Sequence, residues 1–371
     1  MKVAYLALSE KYGDPHAGFV HAYEMASNIR REGVEVKLFM QGHAKPAKAG
    51  LEVVLVEPGK SLGMNRYSAQ KKAIMSELRD CEIIHERFQV NPFTLGLIGG
   101  RKYVLEINDP GIVGGLIKSR VYSYLTRKKL SKADAIITQT GTLKSILKKM
   151  TRKPIFVVSN GVNTNKFRPG IKSGIREQLG VRKDDILVTY AGSFREWHGV
   201  NQIPGIAKHI LQKNENVKFL LIGRGDLFDE TEALCRGEGR IIFAGARNYE
   251  DIPAYLSASD ILIAPFDASG HRQLQKYGFW WCPVKLFEYM ASGRAVVSYG
   301  FREVRNIVKG GGLLAKPGDI DDFANKLLLL VNNRGERERM GERGRKIAES
   351  SYDWRRMADR VVEIYDSAIA R

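Results

Sequence analysis

The chain has 371 residues, 44% of them apolar and 27% charged, with a net charge of +18. Length and balance predict two globular domains, each with its own core, and exclude a disordered chain. The three cysteines, Cys81, Cys235 and Cys282, are far apart and odd in number, which excludes a disulfide framework and a zinc knuckle and fits a reducing cytosol.

The opening run Met1–Glu10 is too short in apolar residues for a secretory leader, and no later run approaches the ~20 that a membrane span needs. The expectation is therefore a cytoplasmic protein. Lysines and arginines outnumber acids 26 to 14 before residue 160 and 33 to 27 after it. The N-terminal half thus carries most of a field that draws polyanions: anionic lipid headgroups, phosphorylated acceptors or nucleic acid.

In chain order, Lys2–Leu8 reads as a buried strand, and the helical stretch His21–Arg31 follows a glycine-containing loop. Strand runs recur at Val34–Met40, Leu51–Val56, Glu82–Phe88, Tyr103–Asn108, Ala135–Gln139 and Ile155–Ser159, with helical period at Asn65–Asp80 and Thr142–Lys149. Ser159–Asp184 is a joint: turn-rich at Asn160-Gly161-Val162-Asn163-Thr164, then a short charged helix over Lys172–Gly180. The rhythm resumes at Ile186–Ala191, Val217–Ile222, Arg240–Phe243, Asp260–Pro265 and Ala295–Tyr299, with a helix at Glu250–Ala258. Nearly continuous apolar strands separated by helices predict an α/β protein of two Rossmann-like domains, with parallel sheets facing each other across a cleft. Ligands bind beyond the carboxyl ends of such strands. That geometry suits dehydrogenases, epimerases, phosphorylases and glycosyltransferases alike.

The segment Cys282-Pro283-Val284-Lys285-Leu286-Phe287-Glu288-Tyr289-Met290-Ala291-Ser292-Gly293-Arg294-Ala295-Val296-Val297 reads as loop, helix, glycine turn and buried strand. Its first-turn amides, near Leu286, suit a diphosphate; Lys285 adds a cation, and Glu288 lies one turn on along the same face. A carboxylate there is suited to accept both hydrogen bonds of a ribose diol. The plainer alternative, an ordinary amphipathic helix with Glu288 on its surface, stays open on chemistry alone.

The whole stretch resembles the donor-binding helix of glycosyltransferase family 4, whose pattern is Glu-x7-Glu followed by a Met-Ala-x-Gly-x-Pro-Val-Val type ending. Glu288 matches the second glutamate, which the resemblance assigns to the nucleotide ribose; the first, a sugar contact, falls at Trp280. The chain is similar to a variant branch in which an aromatic loop, here Tyr277-Gly278-Phe279-Trp280-Trp281, precedes the helix.

Tyr190-Ala191-Gly192-Ser193-Phe194-Arg195-Glu196-Trp197-His198-Gly199-Val200 follows the first strand of the second domain, where the family has Gly-Arg-x4-Lys-Gly gripping the donor diphosphate. Ser193 stands for the arginine and His198 for the lysine, with Arg195 a nearby cation. The alternative is that Trp197 and His198 simply pack the turn. The N-terminal loop Tyr12-Gly13-Asp14-Pro15-His16-Ala17-Gly18-Phe19-Val20-His21 lacks Gly-x-Gly-x-x-Gly but resembles the family's N-terminal glycine loop, with Gly18 as the carried-over donor contact. Leu221-Ile222-Gly223-Arg224-Gly225-Asp226 resembles a second glycine turn, with Gly223 toward the donor. Val158–Pro169 resembles the inter-domain signature, and Ser351–Ile369 a closing helix that returns to the N-terminal domain. The resemblance thus implies the two-domain GT-B fold: an acceptor-side domain over 1–159, a nucleotide-sugar domain over 160–350, and a last helix in 351–371.

His85-Glu86-Arg87-Phe88 and Leu105-Glu106-Ile107-Asn108-Asp109 end successive strands, which places them on the cleft rim, and they resemble acceptor-side positions of the same branch. Glu86, Arg87 and His16 are acceptor-side candidates, and Glu106, Asn108 and Asp109 catalytic ones; a buried ion pair is the competing reading. Asp319-Ile320-Asp321-Asp322 looks like an Asp-x-Asp metal motif but precedes the helical run Phe323–Val331, so capping explains it better and no metal is expected. The implied reaction is retaining transfer from a nucleoside-diphosphate sugar, without a cofactor, to a glycan, lipid-linked or small-molecule acceptor. Lys118, Arg120, Arg127, Lys128, Lys129 and Lys132, around Val121, Tyr122, Tyr124 and Leu125, suit an anionic membrane on the cytoplasmic face. The rivals are an epimerase or phosphorylase of the same architecture and, further off, a non-catalytic polyanion binder. Nucleic acid is not expected as a partner, since no recognised module presents interleaved exposed aromatics.

Overall fold

The computed structural model describes residues 1–14, 16–42, 50–56, 71–72, 74–89, 92–109 and 116–371. Pro15 of the N-terminal loop, and residues 65–70 and 73 of the helix expected over Asn65–Asp80, lie outside the described residues. The chain forms two compact units, one of Met1–Asn160 with Trp354–Arg371 and one of Gly161–Asp353.

The first unit holds β1 (Lys2–Lys11), β2 (Glu35–Gln41), β3 (Glu52–Val56), β4 (Ile83–Arg87), β5 (Lys102–Ile107), β6 (Ala135–Thr138) and β7 (Ile155–Val157), in the order β3-β2-β1-β4-β5-β6-β7. The second holds β8 (Ile186–Ala191), β9 (Val217–Ile222), β10 (Ile241–Gly245), β11 (Ile261–Ala264), β12 (Ala295–Tyr299) and β13 (Gly312–Ala315), in the order β10-β9-β8-β11-β12-β13. The strand pairings within both sheets are parallel. Every residue of β4, β6, β11 and β12 is buried, because helices cover both faces and leave no polar side for alternation. β13 escapes the sequence reading because it is four residues long and entered through Gly310-Gly311-Gly312, which reads as a turn.

In both sheets the order reverses beside the first strand, between β1 and β4 and between β8 and β11. Loops leaving the two strands at such a point diverge and open a crevice at their carboxyl ends. The last helix, Trp354–Ile369, buries Trp354, Met357, Ala358, Val361, Ile364, Tyr365 and Ala368 along one stripe. That i, i+3, i+4, i+7 spacing seats it in the core of the first unit, with Met25, Ala26 and Ile29 of helix Ala17–Arg31.

Candidate functional site

In the second unit, β8 runs out at Ala191 into Gly192, whose φ of 155° suits glycine. A Cβ at Gly192 would lie 2.2 Å from Lys285 Nζ, so the lysine reaches into the notch that the missing side chain leaves. A Cβ at Gly223 would lie 1.9 Å from the Gly192 carbonyl oxygen, which nests the two glycine turns together. Lys285 Nζ donates to the Tyr190 hydroxyl at 3.1 Å and lies 4.3 Å from the centre of its ring and 5.6 Å from that of Phe266. Removal from water pushes the Lys285 ammonium down to about 7, although Glu288 acts against the shift. The Tyr190 hydroxyl donates to the Ser193 carbonyl at 2.7 Å. His198 Nδ1 also lies 2.7 Å from that carbonyl, and a carbonyl can only accept, so this nitrogen carries a proton. The structure therefore brings Gly192, Gly223, Lys285 and His198 to one turn. Arg195 stands apart, exposed, with its guanidinium 5.2 Å over the Trp197 ring.

Helix Val284–Ala291 lies between β11 and β12 in the chain, and Pro283 caps it without a side-chain hydrogen bond. Tyr289 pins the helix to β8: its hydroxyl accepts from the Ala191 amide at 2.9 Å and donates to the Ala191 carbonyl at 3.0 Å. Glu288 is 8% exposed, which removes the surface alternative. Tyr249 donates to its Oε1 at 2.8 Å, and Lys166 lies over the Tyr249 ring at 4.0 Å. Burial raises the Glu288 carboxyl to about 7, against the pull of Tyr249, Lys166 and Lys285. Leu286 is wholly buried and its amide donates to Pro283 O at 3.2 Å, so its side chain offers a ligand nothing. Trp280 is 1% exposed among aromatic neighbours. Sequence reasoning missed Tyr249, which comes from the loop after β10 with no motif around it, and passed over Tyr190 as an ordinary strand residue.

In the first unit the carboxylates are interior. Glu106 accepts from Tyr5 at 2.8 Å and Gln139 at 3.3 Å, and faces His21 Nε2 at 2.9 Å, His85 Nε2 at 3.4 Å and Arg87 Nη1 at 3.6 Å. Burial alone would raise its pKa, yet His21, His85 and Arg87 hold it well below the usual range. Glu86 is fully buried, ion-paired to Lys129 and hydrogen-bonded by Thr94 and Tyr103. Two expectations change accordingly. Glu86 and Glu106 are packed as interior anchors rather than rim groups, because each carboxylate is enclosed by its own donors. Lys129 does not belong to a surface patch, since it is the buried counter-ion of Glu86. Arg87 is 7% exposed, between Glu106 and Glu10 at 3.3 Å, and Gly18 leaves room for Glu10, whose Oε2 a Cβ would meet at 2.1 Å. His16 is exposed and caps helix Ala17–Arg31 by accepting from the Gly18 amide. Asn108 and Asp109 follow β5, half-buried.

Asp319 caps helix Ile320–Asn332 by accepting from the Asp322 amide, and Asp322 accepts from the Lys316 amide; these carboxylates serve backbone. Among the described residues no His, Cys, Asp and Glu cluster fits a metal ion, and no helix is long and apolar enough to cross a membrane. On helix Leu116–Lys132, Tyr124 is 60% exposed with Lys128 over its ring, and the side chains of Lys118, Arg120, Val121 and Tyr122 lie outside the described residues.

Residues 172–347 match the family described as glycosyl transferases group 1, and residues 18–166 match glycosyltransferase family 4. An uncharacterised glycosyltransferase of Methanocaldococcus jannaschii is 22% identical over 378 residues, covering 94% of each chain. The UDP-Gal:alpha-D-GlcNAc-diphosphoundecaprenol alpha-1,3-galactosyltransferase of Escherichia coli is 27% identical over 192 residues, covering 48% of this chain and 46% of that one. Among solved structures, Anabaena HepE in complex with UDP and glucose superposes with a TM-score of 0.77 at 17% identity, covering 99% of this chain and 100% of that chain; at such identity the likeness is one of fold.

Proposed function

The chain belongs to glycosyltransferase family 4 and has the GT-B fold, and from this premise we propose that it moves a sugar from a nucleoside-diphosphate donor to a glycan, lipid-linked or small-molecule acceptor with retention of configuration. One observation carries the reading: Lys285 and Glu288, one turn apart on one helix, sit beside a double glycine turn, each held by its own tyrosine. Lys285 and the His198 turn are assigned to the diphosphate, and Glu288 to the ribose diol, with Tyr249 fixing the carboxylate.

Charge develops on the leaving diphosphate as the sugar departs, and cations already in place lower that barrier. In this reading Lys285, His198 and the first-turn amides supply that charge, so no metal is invoked. No side chain is assigned as a covalent nucleophile. The sugar leaves and the acceptor enters on one face, with the departing phosphate taking the acceptor proton. Trapping of a glycosyl-enzyme adduct would contradict this step. On the acceptor side the assignment falls to Asn108 and Asp109 beyond β5, with His16 in the N-terminal loop; Glu106 and Glu10 hold Arg87.

Thermal shift against UDP, GDP, ADP and their sugar forms tests the donor site. At 100 times its dissociation constant the matching nucleotide adds about 2.7 kcal/mol of stability. Glu288→Ala is expected to lose most of that shift, and an undiminished shift would remove Glu288 from the site. We further propose a cytoplasmic protein that rests on anionic membrane through the face bearing Tyr124 and Lys128. The expected result is co-sedimentation with anionic but not neutral vesicles, weakened in 1 M salt; equal behaviour toward both would end that reading.

A further inference from the structure

Arg345, on helix Arg334–Ser351, makes a set of bonds that no step above uses. Its Nη1 donates to three backbone carbonyls: Thr164 at 2.9 Å, Phe167 at 2.6 Å and Ala291 at 2.7 Å. Its Nη2 pairs with Glu349 at 2.6 Å, one turn along the same helix. Ala291 is the last residue of the helix that bears Lys285 and Glu288, and the last carbonyls of a helix lack partners within it. A cation placed there caps the helix and is favoured by its dipole. Capping accounts for one bond of the three and leaves the two to the turn at residues 163–167 unexplained.

The close approach is built into the backbone. Gly341 and Gly344 stand in the interior of helix Arg334–Ser351, where glycine is unfavourable. A Cβ at Gly341 would lie 2.3 Å from the Gly293 carbonyl oxygen, and one at Gly344 would lie 3.4 Å from Met290 Cγ. The missing side chains let this helix close on helix Val284–Ala291, and Arg345, next to Gly344, reaches over its end.

The turn at 163–167 is the other half of the arrangement. The Asn163 carbonyl closes it by accepting from the Lys166 amide at 3.1 Å and the Phe167 amide at 2.9 Å. Lys166 Nζ lies 4.0 Å over the Tyr249 ring and 3.0 Å from Glu250 Oε1. Phe167 is wholly buried and tilts on the same ring at 5.7 Å. The Tyr249 hydroxyl donates to Glu288 Oε1. One guanidinium therefore ties the backbone that carries Lys166 and Phe167 to the helix that carries Glu288, with Tyr249 held between the two.

We propose that Arg345 is a positioning residue of the donor site, seating Lys166 and Tyr249 so that the Glu288 carboxylate is held for the ribose diol. The inference rests on the assignment of Glu288 to the ribose. Lys166 also favours the ionised carboxylate that accepts from a diol, since its charge opposes the effect of burial on Glu288.

Isothermal titration of the full chain with UDP, GDP and ADP, and with the 2′-deoxy form of each, gives for the nucleotide that binds the ratio of deoxy to ribo dissociation constants. The wild-type ratio is expected to be about 10 or more, the size of one hydrogen bond to a charged group, and Glu288→Ala to bring it to about 1. Arg345→Met keeps the apolar stem and deletes the guanidinium. It is expected to cut the ratio to about 2 and to leave the deoxy form within about twofold. Arg345→Lys puts three donors on one nitrogen, matching the three carbonyls, and is expected to restore most of the ratio. Lys166→Met removes the cation over Tyr249 without touching the turn's backbone bonds. It is expected to lower the ratio by about threefold, and it decides the matter if Arg345→Met does not fold. An unchanged ratio in either Met variant, equal weakening of the ribo and deoxy forms, or Arg345→Lys no better than Arg345→Met overturns the proposal. A wild-type ratio near 1 overturns the assignment of Glu288 to the ribose, and this inference with it.

Discussion

Lys285→Met should lower kcat/KM by about 10²–10³-fold, the effect of removing one preorganised group from developing transition-state charge. The pH dependence separates this loss from a packing defect. The ammonium of Lys285 lies against Tyr190 and Phe266, and burial brings its pKa from 10.5 to about 7. A diphosphate favours the protonated form, so its binding takes up a proton at pH above about 7, and affinity rises as pH falls toward about 7. Glu288 runs the other way. Burial lifts its pKa from 4.5 to about 7, and the ribose diol needs the ionised carboxylate, so affinity falls as pH drops below about 7. Nucleotide affinity is therefore expected to peak near neutrality. Lys285→Met should remove the alkaline limb and Glu288→Gln the acid limb, read from dissociation constants between pH 5 and 9. Retention of both limbs in both variants would show that other groups titrate with the ligand. The same shifts act on folding stability: Glu288 contributes a loss as pH rises from 4.5 to about 7, and Lys285 a loss as pH falls from 10.5 to about 7.

Glu106→Leu is expected to destabilise the first unit by about 3–5 kcal/mol, because it leaves buried Arg87 with Glu10 as its one remaining carboxylate among those named and takes from Tyr5, His21 and His85 their shared acceptor. In a unit of this size that lowers its melting transition by roughly 10 °C. The effect reaches the carboxyl end of the chain, since His85 Nδ1 is bonded to the Tyr365 hydroxyl at 2.6 Å and His21 packs on Trp354. Differential scanning calorimetry should show the loss in the first unit while added nucleotide still stabilises the second. The Glu106 pKa is held well below the carboxylate range, so its stabilisation is complete above about pH 4.5 and fades only as pH falls through that lowered value. A variant melting with the wild type would mean that Glu106 is not the anchor of this cluster.

The contrast between Lys285 and Glu86 shows what a sequence can and cannot carry. Lys285 was legible because the chemistry is local: three residues of helical spacing set it on the face of Glu288, and a glycine turn three strands earlier in sequence has a recognisable pattern. Glu86 ends a strand just as plausibly, but whether it faces solvent or Lys129 depends on a helix 43 residues away, which no local pattern records. The strands were readable because both faces are buried, whereas β13 was hidden by its glycines. Tyr249 and Arg345 depend on long-range packing, and only the folded chain brings the one to Glu288 and the other to the end of its helix.

A crystal structure of the chain with its stabilising nucleoside diphosphate tests the donor site most directly. The prediction is a phosphate oxygen within about 3 Å of Lys285 Nζ and the ribose hydroxyls on Glu288, the distances of charge-assisted hydrogen bonds. A nucleotide bound away from the Gly192 turn, with Lys285 still closed onto Tyr190, would contradict it.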